Sequence, residues 1–237
     1  MFSPRATLGF AILVTALTAL LSQGSWLLSK PPAYSLSGVW WVASDDKSYR
    51  PLHGTDIPFT ALGQDLYNRR RLDRADPANA GDLSDCKPDG IPRILLEPFP
   101  FQIIEQDGLV VIVYEHNHTF QLVYFDPAHP PPDSEDLSYM GHSIGHWESD
   151  TLVVDSTYFN DQTSLDSTGV PHSEKLHVIE RFRRVSRHEL DVLVTIDDPI
   201  VFRHPWTTQR VYRLVPNEQI REFVCGLGVK QTRYDNQ

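Results

Sequence analysis

From residue 99 to residue 214 the chain is one short β-branched or aromatic run after another, each closed by turn residues and none separated by a helical pattern. The runs span 99–106, 109–116, 119–125, 141–148, 151–159, 176–185, 190–196 and 207–214, with a further one at 37–43 and another at 220–225. Strands so short, with no crossover helices between them, predict an all-β antiparallel meander. It is either folded as a sandwich or closed as a barrel, and the barrel is the preferred reading. One short helix precedes the main sheet: Thr60 offers a cap, and 61–74 sets Leu62 and Leu66, with Arg69 or Arg70, on one face. Residues 76–93 form a long connection. Those at 126–139, 160–175 and 197–206 are long enough to make the rim of a mouth.

The N-terminus reads Met-Phe-Ser-Pro-Arg5 and then runs from Leu8 to Leu21 without a charge, the order of an export signal in a hydrophobic helix. Ser22-Gln-Gly24 offers a cleavage site, while Trp26-Leu-Leu28 prolongs the apolar run towards membrane-spanning length. Residues 1–30 therefore read as a signal peptide or an N-terminal membrane anchor, 31–36 as a linker, 37–230 as a single barrel domain and 231–237 as a tail. The expected location is outside the cytoplasm: periplasmic, secreted or anchored in the inner membrane.

Residues 1–30 hold Arg5 and Lys30 and no acid. Of 21 basic and 31 acidic side chains the remainder thus keeps 19 and 31, a formal −12. A field of that sign repels phosphate backbones, which argues against nucleic acid as a partner. Cys86 and Cys225 are the two cysteines, and an exported pair so far apart most often forms a disulfide.

The densest concentration of imidazoles and carboxylates runs from Met140-Gly-His-Ser-Ile-Gly-His-Trp-Glu-Ser-Asp-Thr-Leu-Val-Val-Asp155 through Phe159-Asn-Asp161 to Pro171-His-Ser-Glu-Lys-Leu-His177. Gly141-His-Ser-Ile-Gly145 matches the Gly-x-Ser-x-Gly nucleophile elbow, but that device needs a sharp strand-to-helix turn, and a hairpin follows here. With Ser149-Asp150 as a two-residue turn, Glu148 opposes Thr151, His146 opposes Val153, Ile144 opposes Asp155 and His142 opposes Thr157. Asp155 then neighbours both histidines diagonally on one face. A carboxylate that holds one imidazole nitrogen fixes the tautomer and raises the basicity of the other, which makes a general base near neutral pH.

Beyond that hairpin, Arg187-His188 reads as a turn pairing Arg184 with Asp191 and His177 with Asp198. His116-Asn-His118 reads as a turn rather than a metal site, and His172 and His177 lack a metal spacing. No phosphate loop, dinucleotide fingerprint or haem motif is present, and Gly226-Leu-Gly228 has no helix after it, so no cofactor is expected.

Ser37-Gly-Val-Trp40, Pro98-Phe-Pro-Phe101, Met140-Gly-His-Ser-Ile-Gly145, Trp147-Glu-Ser-Asp-Thr-Leu-Val-Val-Asp155, Phe159-Asn-Asp161, Pro171-His-Ser173, Leu176-His-Val178 and Glu180-Arg-Phe182 together resemble a family of exported bacterial proteins. The resemblance covers most of 37–225 and implies nothing about activity. The chain departs from that pattern at Ser149, where glycine is usual, and at His146, where arginine is usual, which moves weight from His146 to His142. Gly38-Val-Trp40 also resembles, more distantly, the first strand of lipocalin-like barrels, in which a tryptophan plugs the closed end. That likeness implies a ligand cavity.

These readings converge on an exported lipocalin-like barrel that takes a small organic ligand into a mouth. His142, Asp155, Asn160 and His172 are the candidate catalytic groups, with Tyr158, Phe159, Asp161 and His177 as ligand contacts. A second reading is a cofactor-free hydrolase, lyase or isomerase in which His142, oriented by Asp155, acts as general base. A third is an envelope interaction domain whose mouth is filled by aromatic side chains. Membrane attachment would follow only if the N-terminal segment is retained. Intact-mass measurement of exported protein, with and without reductant, is expected to show Cys86 and Cys225 oxidised; two free thiols would refute the pairing.

Overall fold

The computed structural model describes residues 34–44, 46–75, 87–132 and 136–223. Nine strands close a barrel in sequence order. They are β1 (Gly38–Val42), β2 (Phe101–Gln106), β3 (Leu109–Tyr114), β4 (Thr119–Tyr124), β5 (His142–Glu148), β6 (Thr151–Thr157), β7 (His177–Ser186), β8 (Glu189–Asp197) and β9 (Trp206–Leu214), with a single α-helix among the described residues, α1 (Ala61–Ala75), between β1 and β2. The chain is thus an all-β closed barrel, as its strand spacing predicts. Among the described residues no helix is long and apolar enough to cross a membrane.

Eight of the nine strand junctions are antiparallel, and β4 with β5 is parallel. This departure from a pure antiparallel meander follows from parity. Around a closed ring of nine strands, direction can reverse only an even number of times, so one junction must keep its direction. β4 pairs with β5 through Val123 opposite Ser143 and Tyr124 opposite Ile144, so β5 starts at the level where β4 stops. Residues 125–141 make the excursion between them.

The expected strand at 220–225 is not formed over 220–223. There the amides of Arg221 and Phe223 are taken by Glu115 Oε2 and His118 Nε2 beside the β3–β4 turn instead of by a ladder. Residues 224 and 225 lie outside the described residues.

Tight turns gather at one end of the barrel, where Trp40 is fully buried, donates from Nε1 to the Leu36 carbonyl and lies under the Arg184 guanidinium at 5.2 Å. Trp40 is thus a buried core aromatic near this end. At the opposite end the long connections fold inward. Tyr49 and Tyr212 donate their hydroxyls to the carbonyls of Pro92 and Leu95, and Phe202 packs edge-on to Trp206 and against Phe59. Ile94, Leu95 and Leu96, on a 3₁₀ turn, complete an apolar plug, so this end is filled.

Helix α1 starts where expected, with the Gly63 amide donating to Thr60 Oγ1 at 3.0 Å. Its docked stripe differs by one position, since Leu62 is 51% exposed and Gly63 is buried. A Cβ on Gly63 would stand 2.2 Å from the Val201 carbonyl oxygen, so the helix presses its backbone against that segment and turns Leu62 outward.

The β5–β6 register is the expected one, residue for residue. In β7–β8 an irregularity between Arg184 and Ser186 shifts the pairing by one residue: Arg183 opposes Asp191 and His177 opposes Asp197, in place of Arg184 with Asp191 and His177 with Asp198.

Ser149 holds a left-handed φ of 58° in the β5–β6 turn, a conformation that costs an L-residue about 1 kcal/mol and glycine almost nothing. Ser149→Gly is expected to stabilise the fold by about 0.5–1 kcal/mol, read as a higher denaturation midpoint at unchanged slope. An unchanged or lower midpoint would show that the turn carries no strain.

Candidate functional site

Along β5, β6 and β7 the alternation sends Ser143, Val154, Ser156, Val178 and Glu180 into the barrel and leaves His142, Asp155 and His177 on its outer wall. The shared face of His142 and Asp155 is as expected. The expectation that this face lines the mouth is corrected, because side chains alternate with period two and the apolar triplet Leu152-Val-Val154 disguises which phase is inner.

His142 and Asp155 are not in direct contact. His129, from the segment after β4, stands between them, with Nδ1 at 2.9 Å from His142 Nδ1 and Nε2 at 3.1 Å from Asp155 Oδ1. On the other side His177 Nε2 lies 2.8 Å from the same oxygen. An ionised carboxylate only accepts, so both imidazoles donate to it. The hydrogen bond from His177, assisted by that from His129, holds the Asp155 carboxyl below the usual carboxylate range against the opposing effect of burial. His177 is raised reciprocally, chiefly by its bond to Asp155. His142 stacks on Tyr124, with centroids 5.6 Å apart, and His129 meets the Tyr158 ring edge-on. Tyr158, at a left-handed φ of 63°, donates its hydroxyl to the Pro130 carbonyl and so ties the His129 segment to the wall. Asp155 and His177 are each about one-third exposed and His129 17% exposed, so the cluster is half-buried beneath that segment.

The other expected site residues lie elsewhere. Phe159 is core, against Gly141. Asn160 accepts from the Gln162 amide in an Asx turn and Asp161 is exposed. His172 is buried in the filled end. Its Nδ1–H donates to the Ser173 carbonyl at 3.4 Å and its Nε2 accepts from Thr163 Oγ1 at 2.8 Å, while burial pushes it down to about 4. It is a neutral structural group there. Ser143, at the centre of the elbow-like motif, is the second residue of β5 and faces inward, bonded to Gln121 and Ser156. His116-Asn-His118 forms the expected turn, with Asn117 at φ 56°. Cys86 and Cys225 both lie outside the described residues. Among the described residues no group of three or more His, Cys, Asp or Glu side chains is arranged to hold a metal ion.

Sequence reasoning missed His129. Its one sequence signal is a histidine amid the prolines 127 and 130–132, which says nothing about where the segment folds. It missed an interior network as well. Tyr114 donates to Gln121 Oε1, and Gln121 Nε2 donates to Ser143 Oγ and, at 2.8 Å, to Glu180 Oε2. Glu180 is fully buried with Oε1 unpartnered, and desolvation pushes its carboxyl up to about 7.

No protein-family model matches the chain and no curated protein sequence matches it. Among solved structures it is similar to a point mutant of the fluorescent protein UnaG, at 13% identity over 76% of this chain and 96% of that one, with a TM-score of 0.34. So loose an overlap carries no argument about a ligand, and the barrel class stands on the strand pairing itself.

Glu180 has a folded-state value near 7 against an ordinary 4.5, so the stability it contributes is full below 4.5 and lost as pH rises to about 7. His172, at about 4 against 6.5, acts in the opposite sense over an overlapping window, but it is common to both proteins in a comparison. The stability of Glu180→Gln relative to wild type is therefore expected to increase between pH 4.5 and 7 and level off above, measured by urea unfolding across that range. A pH-independent difference would place the carboxyl in a polar, hydrated setting.

Proposed function

We propose that this is an exported barrel domain that binds a small organic ligand at the outer-wall cluster of His129, His142, Asp155 and His177, with Tyr124 and Tyr158 as its aromatic flanks. The observation that carries the reading is one carboxylate oxygen receiving two imidazole donors, with a third imidazole linked through His129. Half-buried groups whose proton affinities are pushed apart by a specific partner are typical of sites that handle ligands. The apolar side chains packed into the end opposite the tight turns argue for the wall over the lumen as the place of binding. Export is supported by Arg5 followed by the uncharged run from Leu8 to Leu21, with a periplasmic, secreted or membrane-anchored destination.

A second reading, cofactor-free acid–base catalysis, is favoured by the order of the chain Asp155, His129, His142. Asp155 holds His129 through Nε2, and His129 Nδ1 faces His142 Nδ1, so Asp155 orients His142 through His129 rather than directly. The interaction-domain reading draws on the aromatic filling of the end opposite the tight turns.

A thermal-shift screen of metabolites on wild type and Asp155→Asn separates them, because a ligand of the native state raises its apparent stability. At a ligand concentration about a hundred times Kd, wild type is expected to gain about 2.7 kcal/mol and Asp155→Asn to lose most of that gain. Equal shifts in the two proteins would remove the cluster from the site. A hit that is turned over by wild type, but only bound by His142→Ala, establishes the enzymatic reading.

A further inference from the structure

We propose that the outer face of β2, β3 and β4 is a self-docking surface, on which a second copy of this chain packs face to face about a two-fold axis. The inference stands apart from the imidazole cluster and uses none of its groups.

Leu109-Val-Val-Ile-Val-Tyr114 is aliphatic or aromatic at every position, yet it forms β3 between antiparallel neighbours, where a strand with one solvated face alternates apolar with polar. Val110, Ile112 and Tyr114 are buried in the core, so Leu109, Val111 and Val113 take the outer wall. The register spreads that apolar surface sideways. Val111 lies between Ile104 of β2 and Leu122 of β4, and Val113 lies beside Phe120, which is 57% exposed. Three outward positions on each of three strands measure about 15 Å by 20 Å. That is too small for an obligate interface and suits the apolar centre of a standard, reversible one.

Charge selects the occupant. The outward positions of β2, β3 and β4 carry no charged side chain, whereas β7 and β8 turn Arg181, Arg183, Asp191 and Asp197 outward as a solvated wall does. An anionic lipid surface would meet no Lys or Arg on this face, and behind it a chain of formal net charge −10. A charged protein would find no ion to pair with. A copy of the same chain brings an equally uncharged face, and nothing on it repels its own image. The polar members, Gln102 and Gln106, are amides that both donate and accept, so each is satisfied by its symmetry mate as a carboxylate or an ammonium would not be. Two sheets packed in this way lie about 10 Å apart with their strands within about 30° of alignment, and the acidic groups stay outside the contact.

Sedimentation velocity on the full chain tests this over about 1–100 μM, where wild type is expected to pass from monomer to dimer. Phe120→Lys and Phe120→Glu each set like charges on the facing copies and are expected to weaken association about tenfold or more. Mixed one to one, they are expected to recover a heterodimer, because opposite charges then face across the axis. Val113→Lys or Val113→Glu replaces whichever fails to fold, with the same expectation.

Wild type that remains monomeric at about 100 μM would overturn self-docking. So would association that is unchanged in the folded charge variants, as it would be if residues outside the described ones caused it. Weakening that no mixture restores would also overturn it, because the copies would then not meet face to face. Monomeric wild type that binds neutral phosphatidylcholine vesicles, and loses them in Phe120→Glu, would assign the face to lipid instead.

Discussion

A closed ring of nine strands cannot be antiparallel throughout, and the structure is arranged around where it satisfies that constraint. Several neighbours are joined by turns too short for anything but reversal, among them 107–108, 149–150 and 187–188. The parallel junction falls at β4–β5, where residues 125–141 provide the length and an offset register brings the end of one strand beside the start of the next. The described part of this excursion brings His129 to the outer wall of β5 and β6, beside His142 and Asp155. The half-buried cluster is thus a consequence of odd strand number: an even meander would need no such excursion, and Asp155 and His177 would face solvent without a cover.

The same stretch of sheet carries two polar systems back to back. Asp155 and Ser156 are consecutive, as are His142 and Ser143, yet one of each pair belongs to the imidazole cluster outside and the other to the Gln121–Glu180 network inside. The inner network spans β3 to β7, so it crosses behind the parallel junction where the backbone ladder is shortest. Side-chain hydrogen bonds in a dry interior are strong when satisfied and costly when not. The unpartnered Glu180 Oε1 is the place where this inner bracing is incomplete.

What the sequence revealed, and what it concealed, follows from locality. The β5–β6 register was legible because a two-residue turn fixes every pair after it. The β7–β8 register slipped by one because the irregularity between Arg184 and Ser186 has no glycine or proline to announce it. The phase of the site was hidden for a different reason: the inward positions of β5 to β7 include Ser143, Ser156 and Glu180, so polarity does not mark the outside there. The helix was legible in extent and cap, but its docked stripe turns on Gly63, where the absence of a side chain is the contact. His129 depends on a segment folding across two strands distant in sequence, and no periodicity encodes that.

Burial then decides which titratable groups can do chemistry. His172, enclosed in the filled end, is held neutral over the physiological range and is saturated by Thr163 and Ser173, so it has neither a proton to give nor an orbital to offer. Glu180 sits in the opposite predicament, an acid whose ionised form has, among the described residues, one amide donor and no counter-ion at bonding distance. The outer-wall imidazoles combine a fixed partner with partial solvent contact. Asp155 gives His129 and His177 direction, and its bond to His177 favours the charged form of that imidazole. A site that must reach a ligand is therefore better built on the wall of this barrel, under a short cover, than in a lumen where Glu180 is closed off from solvent altogether.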